Sequence, residues 1–430
     1  MLSLFQVLTS SGVLVAIALI IIIGYISAAI FRKIRVPELL ILMLIGIFLV
    51  QILNIVPGNY LLVLRSLAPL FSSLALIVIM FNGSKDLKVS DPTLRNWRGI
   101  SLGLLDSVIS IGIVAVFMNY ILGWPWLYGI ILGTILGETG SIVVIPFIRK
   151  VKLSREMFGA MFTETTINSL VAIAIFSLLL TVTNHQTVTP LSFTVYVFDY
   201  LSFAIVMGLI ASFAWLFVAR FLSSAREYVA TLAVAILLYG FVSIFNGAAI
   251  ISVMIFGIVI GNEAIFQEIY QKFSAKKEDK DEKAGTDSKA AQVQQGADQK
   301  TAADAKKDAN GMMEVEKELE FLISTFFFVF MGMITILSVQ FLIYGLAISI
   351  LLILARFVEV RAVLYKNNSN DKNLAFALMP RGITVATLAT ILYGLGGTYF
   401  MQTFYIAFIV IVVTSIISSL MLNRVSVELK

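Results

Sequence analysis

The feature that most constrains this chain is a series of thirteen apolar segments, each long enough to cross a lipid bilayer as an α-helix of about 20 residues. Only 13% of the residues are charged, against about a quarter in soluble domains, which fits a surface that faces lipid. The sequence therefore predicts an all-α membrane protein of about thirteen transmembrane helices. The eighth and ninth segments are separated only by residues 245–247, so a count of twelve is also compatible. The predicted spans are 10–31, 37–55, 62–81, 99–121, 126–148, 158–182, 195–219, 227–244, 247–263, 318–337, 340–360, 373–394 and 403–423.

Among the loops between these spans, only alternate ones carry Lys or Arg. The first basic loop holds Arg32, Lys33 and Arg35, and the last holds Arg361, Lys366 and Lys372. Cytoplasmic loops of membrane proteins are enriched in these residues, so we expect a multi-pass cell-membrane protein with its N-terminus outside and its C-terminus in the cytoplasm. The formal net charge of +5 is then a signal of topology, and no nucleic-acid partner is expected.

One long loop differs from the rest of the chain. Residues 275–311 contain no aromatic residue and a single branched aliphatic one, Val293, so they cannot bury a core. We predict a polar, disordered cytoplasmic loop over 264–317. It would join spans 1–9, within residues 1–263, to spans 10–13, within residues 318–430.

Two spans contain helix-breaking residues in corresponding places. The fifth carries Gly137-Glu138-Thr139-Gly140, and the twelfth carries Pro380-Arg381-Gly382. They lie seven spans apart, and an odd shift inverts the topology. We therefore predict an inverted repeat of spans 1–6 and 8–13, whose broken helices cross near the membrane midplane at a substrate site. The alternative is that these glycines serve only close helix packing.

Charged residues inside membrane spans are costly and usually functional. A carboxylate paired with an arginine keeps its charge, whereas an unpaired one can exchange a proton for a cation. Asp106 is expected to be a packing or interfacial residue, and Arg65 and Asp199 fall near span ends. The charged residues deeper in the spans are Glu138, Glu164, Arg356 and Arg381.

Several oxygen-bearing residues flank these acids. Glu164 and Asn168 are four residues apart and share one face of the sixth span, with Ser169 adjacent. Together with Glu138 and Thr139 they could supply the oxygen ligands that a monovalent cation prefers. Two other roles remain open: a salt bridge from Glu164 to Arg356 or Arg381, and hydrogen bonding of Glu138 to unwound backbone.

The sequence argues against enzymatic chemistry. It contains no cysteine and a single histidine, His185, so no metal site is expected beyond that of a transported cation, and no cofactor is indicated. The zinc-protease pattern His-Glu-x-x-His and the serine and aspartyl patterns Gly-x-Ser-Gly and Gly-x-Gly-Asp are all absent.

The order of several motifs resembles that of the monovalent cation:proton antiporter superfamily, which has the sodium/proton exchanger fold. The resemblance covers nearly the whole apolar part of the chain, and it implies cation:proton exchange by a homodimer. The motifs are RVPELL at 35–40, FNGSKDL at 81–87, FGIVIGN at 256–262, FFFVFMG at 326–332 and PRG at 380–382.

The ion site departs from the family pattern. The family's fifth span usually reads Thr-Asp-Pro, whereas the aspartate is missing after Thr139. The sixth span keeps Glu164 and Asn168, but Ser169 replaces the aspartate that carries the ion or proton in resembling proteins. The resemblance implies that Glu164 pairs with an arginine, with Arg356 the first choice, and that Arg381 keeps its place.

Serine cannot titrate, so Glu138 is the remaining candidate to bind the ion or proton, with Thr139, Asn168 and Ser169 beside it. The predicted function is exchange of a monovalent cation, Na⁺ first and K⁺ or Li⁺ as alternatives, for protons across the lipid bilayer. The alternative is a divergent member without proton coupling: a uniporter, a carrier of another solute or a regulatory protein.

Overall fold

The structure is a computed structural model that describes residues 18, 20–27, 29, 38–54, 58–85, 96–140, 154–184, 190–219, 224–263 and 302–428. Within these residues the regular structure is helical. Helix α1 is described over residues 20–27, and α2 continues as a short π-helix, Phe48–Ile52. The remaining bounds are α2 Glu38–Ile47, α3 Gly58–Lys85, α4 Trp97–Leu122, α5 Trp126–Leu136, α6 Arg155–Asn184, α7 Pro190–Ala219, α8 Ser224–Ile244, α9 Ala249–Gly261, α10 Ala302–Ile334, α11 Val339–Val363, α12a Ser369–Ala377, α12b Ile383–Leu395 and α13 Thr398–Glu428.

Each of the thirteen predicted spans contains helical residues, and the prediction of an all-α membrane protein is confirmed. Within the described ranges, six helices are long and apolar enough to cross a bilayer unaided: α3, α4, α6, α7, α11 and α13. Two others are interrupted. Helix α5 ends at Leu136 in the middle of its predicted span, and the twelfth span is divided into α12a and α12b by residues 378–382.

Helix α10 begins at Ala302, inside the polar segment 264–317. Residues 302–317 are rich in Ala, Lys, Glu and Met, which have high intrinsic helix propensity, so a helix can continue there without an apolar face to bury. The disorder expected of the 264–317 loop stays a prediction. Residues 264–301 lie outside the described residues.

Two compact units make up the chain, and both broken helices lie in the first, which comprises residues 1–76, 91–193 and 321–430. The second comprises residues 77–90 and 194–320. In the second unit, the ring of Phe81 packs against those of Tyr228 and Phe256, with centroids 6.4 and 5.7 Å away. Its helices are α7, α8 and α9 with the adjoining ends of α3 and α10.

Glycines bring α4 into close contact with both α5 and α6 in the first unit. A Cβ atom on Gly133 of α5 would lie 2.7 Å from the Cα of Ile111, and one on Gly103 would lie 2.9 Å from the carbonyl oxygen of Glu164. Backbones can approach this closely only where no side chain intervenes. The polar residues of α4 are thereby brought beside α6 and the interrupted end of α5.

Candidate functional site

The two interrupted spans cross each other through backbone atoms. The N–H of Gly140, in the non-helical segment after α5, donates a hydrogen bond to the carbonyl oxygen of Pro380, 2.8 Å away. A Cβ atom on Gly140 would lie 2.7 Å from the Cα of Gly382, and one on Gly382 would lie 2.5 Å from the Cα of Gly140. The crossing therefore requires glycine at both positions, and the predicted crossing of broken helices is confirmed.

Asp106 of α4 binds Arg381, which lies in the interruption between α12a and α12b. Both terminal guanidinium nitrogens contribute: Nη1 lies 3.1 Å from Oδ2, and Nη2 lies 3.2 Å from Oδ1. Both side chains are buried, with 1% and 2% of their surfaces exposed. The carboxylate also accepts hydrogen bonds from Ser110 at 3.1 Å, Thr139 at 2.9 Å and Asn168 at 2.8 Å. Such a bidentate pair, with further hydrogen bonds to its carboxylate, can keep both charges inside the membrane.

The sequence prediction that Asp106 is interfacial is therefore wrong, because Asp106 is buried. The alternative of a helix-packing role agrees with its hydrogen bonds to Thr139, Asn168 and Arg381 on other elements. Arg381, predicted in one ion-pair group with Glu164, binds Asp106 instead. A signal was present in the sequence: Asp106 and Ser110 are four residues apart, with Ser107 on the same side of α4. Ser107 in turn donates to Oδ1 of Asn168 at 3.0 Å.

Glu164 of α6 forms a buried ion pair with Arg356 of α11, and each side chain is 1% exposed. Nη2 of Arg356 also donates to the carbonyl oxygen of Ala375 in α12a, 3.0 Å away. The pair thus links three helices around one buried charge pair. The sequence left open whether Glu164 pairs with Arg356 or with Arg381. The structure contains the salt bridge to Arg356.

Glu138 lies in the non-helical segment after α5 and is fully buried. The hydroxyl of Ser169 on α6 donates to its Oε1 at 2.7 Å. Oε2 is buried without a well-formed hydrogen bond in the described part of the chain, and the side chain of Thr384, at the start of α12b, lies close enough to interact with the carboxyl group. Unlike Asp106 and Glu164, Glu138 has no ion pair with an arginine among the described residues.

The four predicted ligand residues separate into two pairs. Glu138 and Ser169 bind each other, whereas Thr139 and Asn168 both donate to Asp106. Nη1 of Arg381 lies 3.2 Å from Oγ1 of Thr139, so a positive charge already occupies that side of the site. A cation is therefore better accommodated at the Glu138 carboxyl than between Thr139 and Asn168.

The other residues singled out in the sequence are more peripheral. Arg65 is half-buried and Asp199 is exposed, while His185 lies outside the described residues. Within the described ranges, no three His, Cys, Asp or Glu side chains come together to form a resident metal site.

The sequence matches the model of one family, the transmembrane domain of sodium/hydrogen exchangers, over residues 15–281 and 290–427. The chain belongs to the sodium/hydrogen exchanger family. In fold, it is similar to the sodium proton antiporter MjNhaP1 from Methanocaldococcus jannaschii at pH 8, with a TM-score of 0.73 and 19% sequence identity. That match covers 97% of this chain and 98% of the other, so this family member is a multi-pass membrane protein with the antiporter fold.

The curated relatives are longer than this chain. A K⁺/H⁺ antiporter NhaP2 from Shewanella sp. (strain ANA-3) is 23% identical over 250 residues, which are 57% of this chain and 43% of the relative. A K⁺/H⁺ antiporter NhaP from Alkalimonas amylolytica is 24% identical over 265 residues, which are 60% of this chain and 45% of the relative. The matches thus span less than half the length of these relatives.

Proposed function

We propose that this family member exchanges a monovalent cation for protons across the membrane, and that the carboxyl group of Glu138 binds either one. The observation that carries the proposal is the 2.7 Å hydrogen bond from Ser169 to Glu138. Ser169 stands where resembling proteins have their ion-carrying aspartate. A carboxyl group is thus present at that place, supplied by the end of α5 instead of by α6.

The physical basis of exchange is the cost of an uncompensated charge in a buried site. An ionised carboxylate there must be neutralised, and Glu138 has no arginine of its own among the described residues to do so. A proton or a cation can each supply the missing positive charge, but the two exclude one another on a single carboxyl group. This competition couples the two fluxes when the site is exposed alternately to each side of the membrane.

The neighbouring residues would then have distinct roles. Ser169 donates to the carboxylate when the site is empty, and its oxygen can turn to the cation when one is bound. Thr139 and Asn168 hold Asp106 and Arg381 in place, because their side chains donate to that carboxylate. Glu164 and Arg356 form a structural ion pair that connects α6 to α11.

The candidate cations are sodium, potassium and lithium, because all three accept oxygen ligands. Sodium is our first choice. The proteins similar to this chain include potassium antiporters and, in fold, a sodium proton antiporter. We further propose that the protein works as a homodimer, with its N-terminus outside and its C-terminus and the 264–317 loop in the cytoplasm.

The test is proton flux in sealed proteoliposomes that carry a pH gradient, with Na⁺, K⁺ or Li⁺ added outside in turn. The wild-type protein should collapse the gradient in the presence of its cation, and Glu138→Gln should abolish that response while the protein remains folded. Glu156→Gln is the matched control, since Glu156 is a 64% exposed carboxylate on α6 whose partner is Arg98.

Two results would contradict the proposal. Exchange retained in folded Glu138→Gln would show that another group carries the ion. No response of the wild-type protein to any of the three cations would favour a family member without proton coupling.

A further inference from the structure

Glu359 is a fourth buried carboxyl group of the first unit, and neither the sequence motifs nor the proposed exchange accounts for it. It lies on α11 with 1% of its surface exposed. Neither Oε1 nor Oε2 has a hydrogen-bond partner in the described part of the chain. Buried polar atoms of native proteins are nearly always hydrogen-bonded, so two unsatisfied oxygens on one side chain need an explanation.

The buried charges of the described residues do not balance if every group is ionised. Four carboxyl groups, those of Asp106, Glu138, Glu164 and Glu359, accompany only Arg356 and Arg381. Each arginine already has its own carboxylate, Glu164 and Asp106 respectively. Two positive charges are missing, and the proposed exchange supplies one of them, at Glu138.

The four charged groups that act electrostatically on Glu359 carry no net charge. They are Arg356 on α11, Asp106 on α4, Glu164 on α6 and Arg381 between α12a and α12b. These two acids and two arginines cancel in charge. Arg356 is three residues earlier on the same helix face, but its guanidinium is bound to Glu164 and to the backbone of α12a.

We propose that Glu359 is a second proton-binding site of this protein, and that it holds a proton while Arg356 is paired with Glu164. A bound proton removes the uncompensated charge and turns one oxygen into a donor. An ionised Glu359, in contrast, would compete with Glu164 for Arg356. Protonation of Glu359 therefore stabilises the ion pair between α6 and α11.

The position of Glu359 indicates from which side its proton comes. Glu359 lies about 4.5 Å further along α11 than Arg356, at a rise of about 1.5 Å per residue. Helix α11 ends four residues later, at Val363, next to the loop that holds Lys366 and leads to Lys372 in the first turn of α12a. That loop is the predicted cytoplasmic one, so Glu359 would respond to cytoplasmic pH and set the pH dependence of exchange.

The first test is infrared difference spectroscopy of the purified protein between acidic and alkaline buffer, where a protonated buried carboxyl group gives its own carbonyl stretching band. We expect one such band to disappear in Glu359→Gln and another in Glu138→Gln. Glu359→Asp should retain a shifted band, and Glu156→Gln should leave both bands in place. A spectrum of Glu359→Gln identical to that of the wild type would overturn the proposal.

Thermal unfolding supplies an independent second test. If Glu359 is neutral in the folded protein, Glu359→Gln should unfold at the wild-type temperature, because an amide replaces a neutral acid of the same shape. A substantially lower unfolding temperature, or failure to fold, would mean that Arg356 needs the charge of Glu359, and would also overturn the proposal.

The transport readout rests on the proposed function, whereas the spectra and the unfolding temperature do not. In proteoliposomes, Glu359→Gln should still exchange the cation for protons but lose part of the pH dependence seen with the wild type. If the wild type shows no exchange but its spectrum contains the Glu359 band, the proposed function fails while the proton site stands. If exchange occurs with an unaltered pH profile in Glu359→Gln, the role in pH dependence is wrong.

Discussion

Ser169 Oγ and Glu138 Oε1 are 2.7 Å apart, although the two residues belong to different helices. Glu138 reaches this position because α5 has already ended at Leu136, so its backbone is not confined to a helical register. In a continuous helix, Glu138 and Thr139 would point about 100° apart. The interruption of α5 allows the first to face Ser169 and the second to face Asp106.

Removal of the Ser169 hydroxyl should weaken cation binding. The variant lacks the hydroxyl oxygen that would turn to the bound cation, and a loss of about 1.4 kcal/mol of binding free energy corresponds to a tenfold change in affinity. We expect Ser169→Ala to raise the half-saturating cation concentration of exchange by about tenfold or more. Ser212→Ala is the matched control, because Ser212 is a buried serine that bonds only to Gly208 of its own helix in the described structure. Equal effects of the two substitutions would contradict a direct role for Ser169.

The Asp106–Arg381 pair should be essential to stability. Removing one partner of a buried ion pair leaves the other charge uncompensated, at a cost of about 3–5 kcal/mol. We expect Asp106→Asn and Arg381→Gln each to lower the unfolding temperature strongly, and the double variant to lose less than the sum of the two. The exposed pair Arg98–Glu156 provides the comparison, since Glu156→Gln should cost less than about 1 kcal/mol. Additive losses in the double variant would show that the pair is not energetically coupled.

A methyl group at the crossing should be poorly tolerated. A Cβ atom on Gly382 would overlap backbone atoms of Gly140, which cannot rotate away as a flexible side chain could. We therefore expect Gly382→Ala to reduce both the yield of folded protein and the rate of exchange. Gly112→Ala should be neutral or stabilising, because Gly112 lies within α4 with open space around its Cα. Wild-type behaviour of Gly382→Ala would mean that the two segments can separate without loss.

The orientation expected from the basic loops can be tested with single cysteines, because the chain has none of its own. Gln340→Cys and Lys366→Cys place a thiol at opposite ends of α11, and both native residues are exposed. A membrane-impermeant thiol reagent added to intact cells should label the first and not the second. The reverse pattern would place the N-terminus in the cytoplasm.

Much of the fold could be predicted from the sequence because bilayer thickness imposes a length on every apolar segment. The helix breaks were also predictable, because helix-breaking residues interrupt two otherwise apolar spans. These residues are Gly137 and Gly140 in the fifth span and Pro380 and Gly382 in the twelfth. The helical start of α10 was not predicted, because a composition that cannot form a core does not by itself prevent a helix.

The pairing of buried charges was harder to predict. Sequence spacing relates only residues on the same helix. Arg381 binds Asp106 and not Glu164 because of how α4 packs against α5 and against the segment between α12a and α12b. Glu359 was missed because it falls within a turn of Arg361, where a charged residue resembles the end of a span. Only its burial distinguishes it from an interfacial residue.

The single backbone hydrogen bond from Gly140 to Pro380 has a consequence for how the protein can move. Both residues are buried, so separating them would leave an amide and a carbonyl group without water to replace the lost partner. In a non-aqueous interior each such group costs several kcal/mol. If the protein exchanges ions as proposed, we expect the crossing to move as a single rigid unit together with Glu138. The conformational change that opens the site to each side of the membrane would then take place in other parts of the chain.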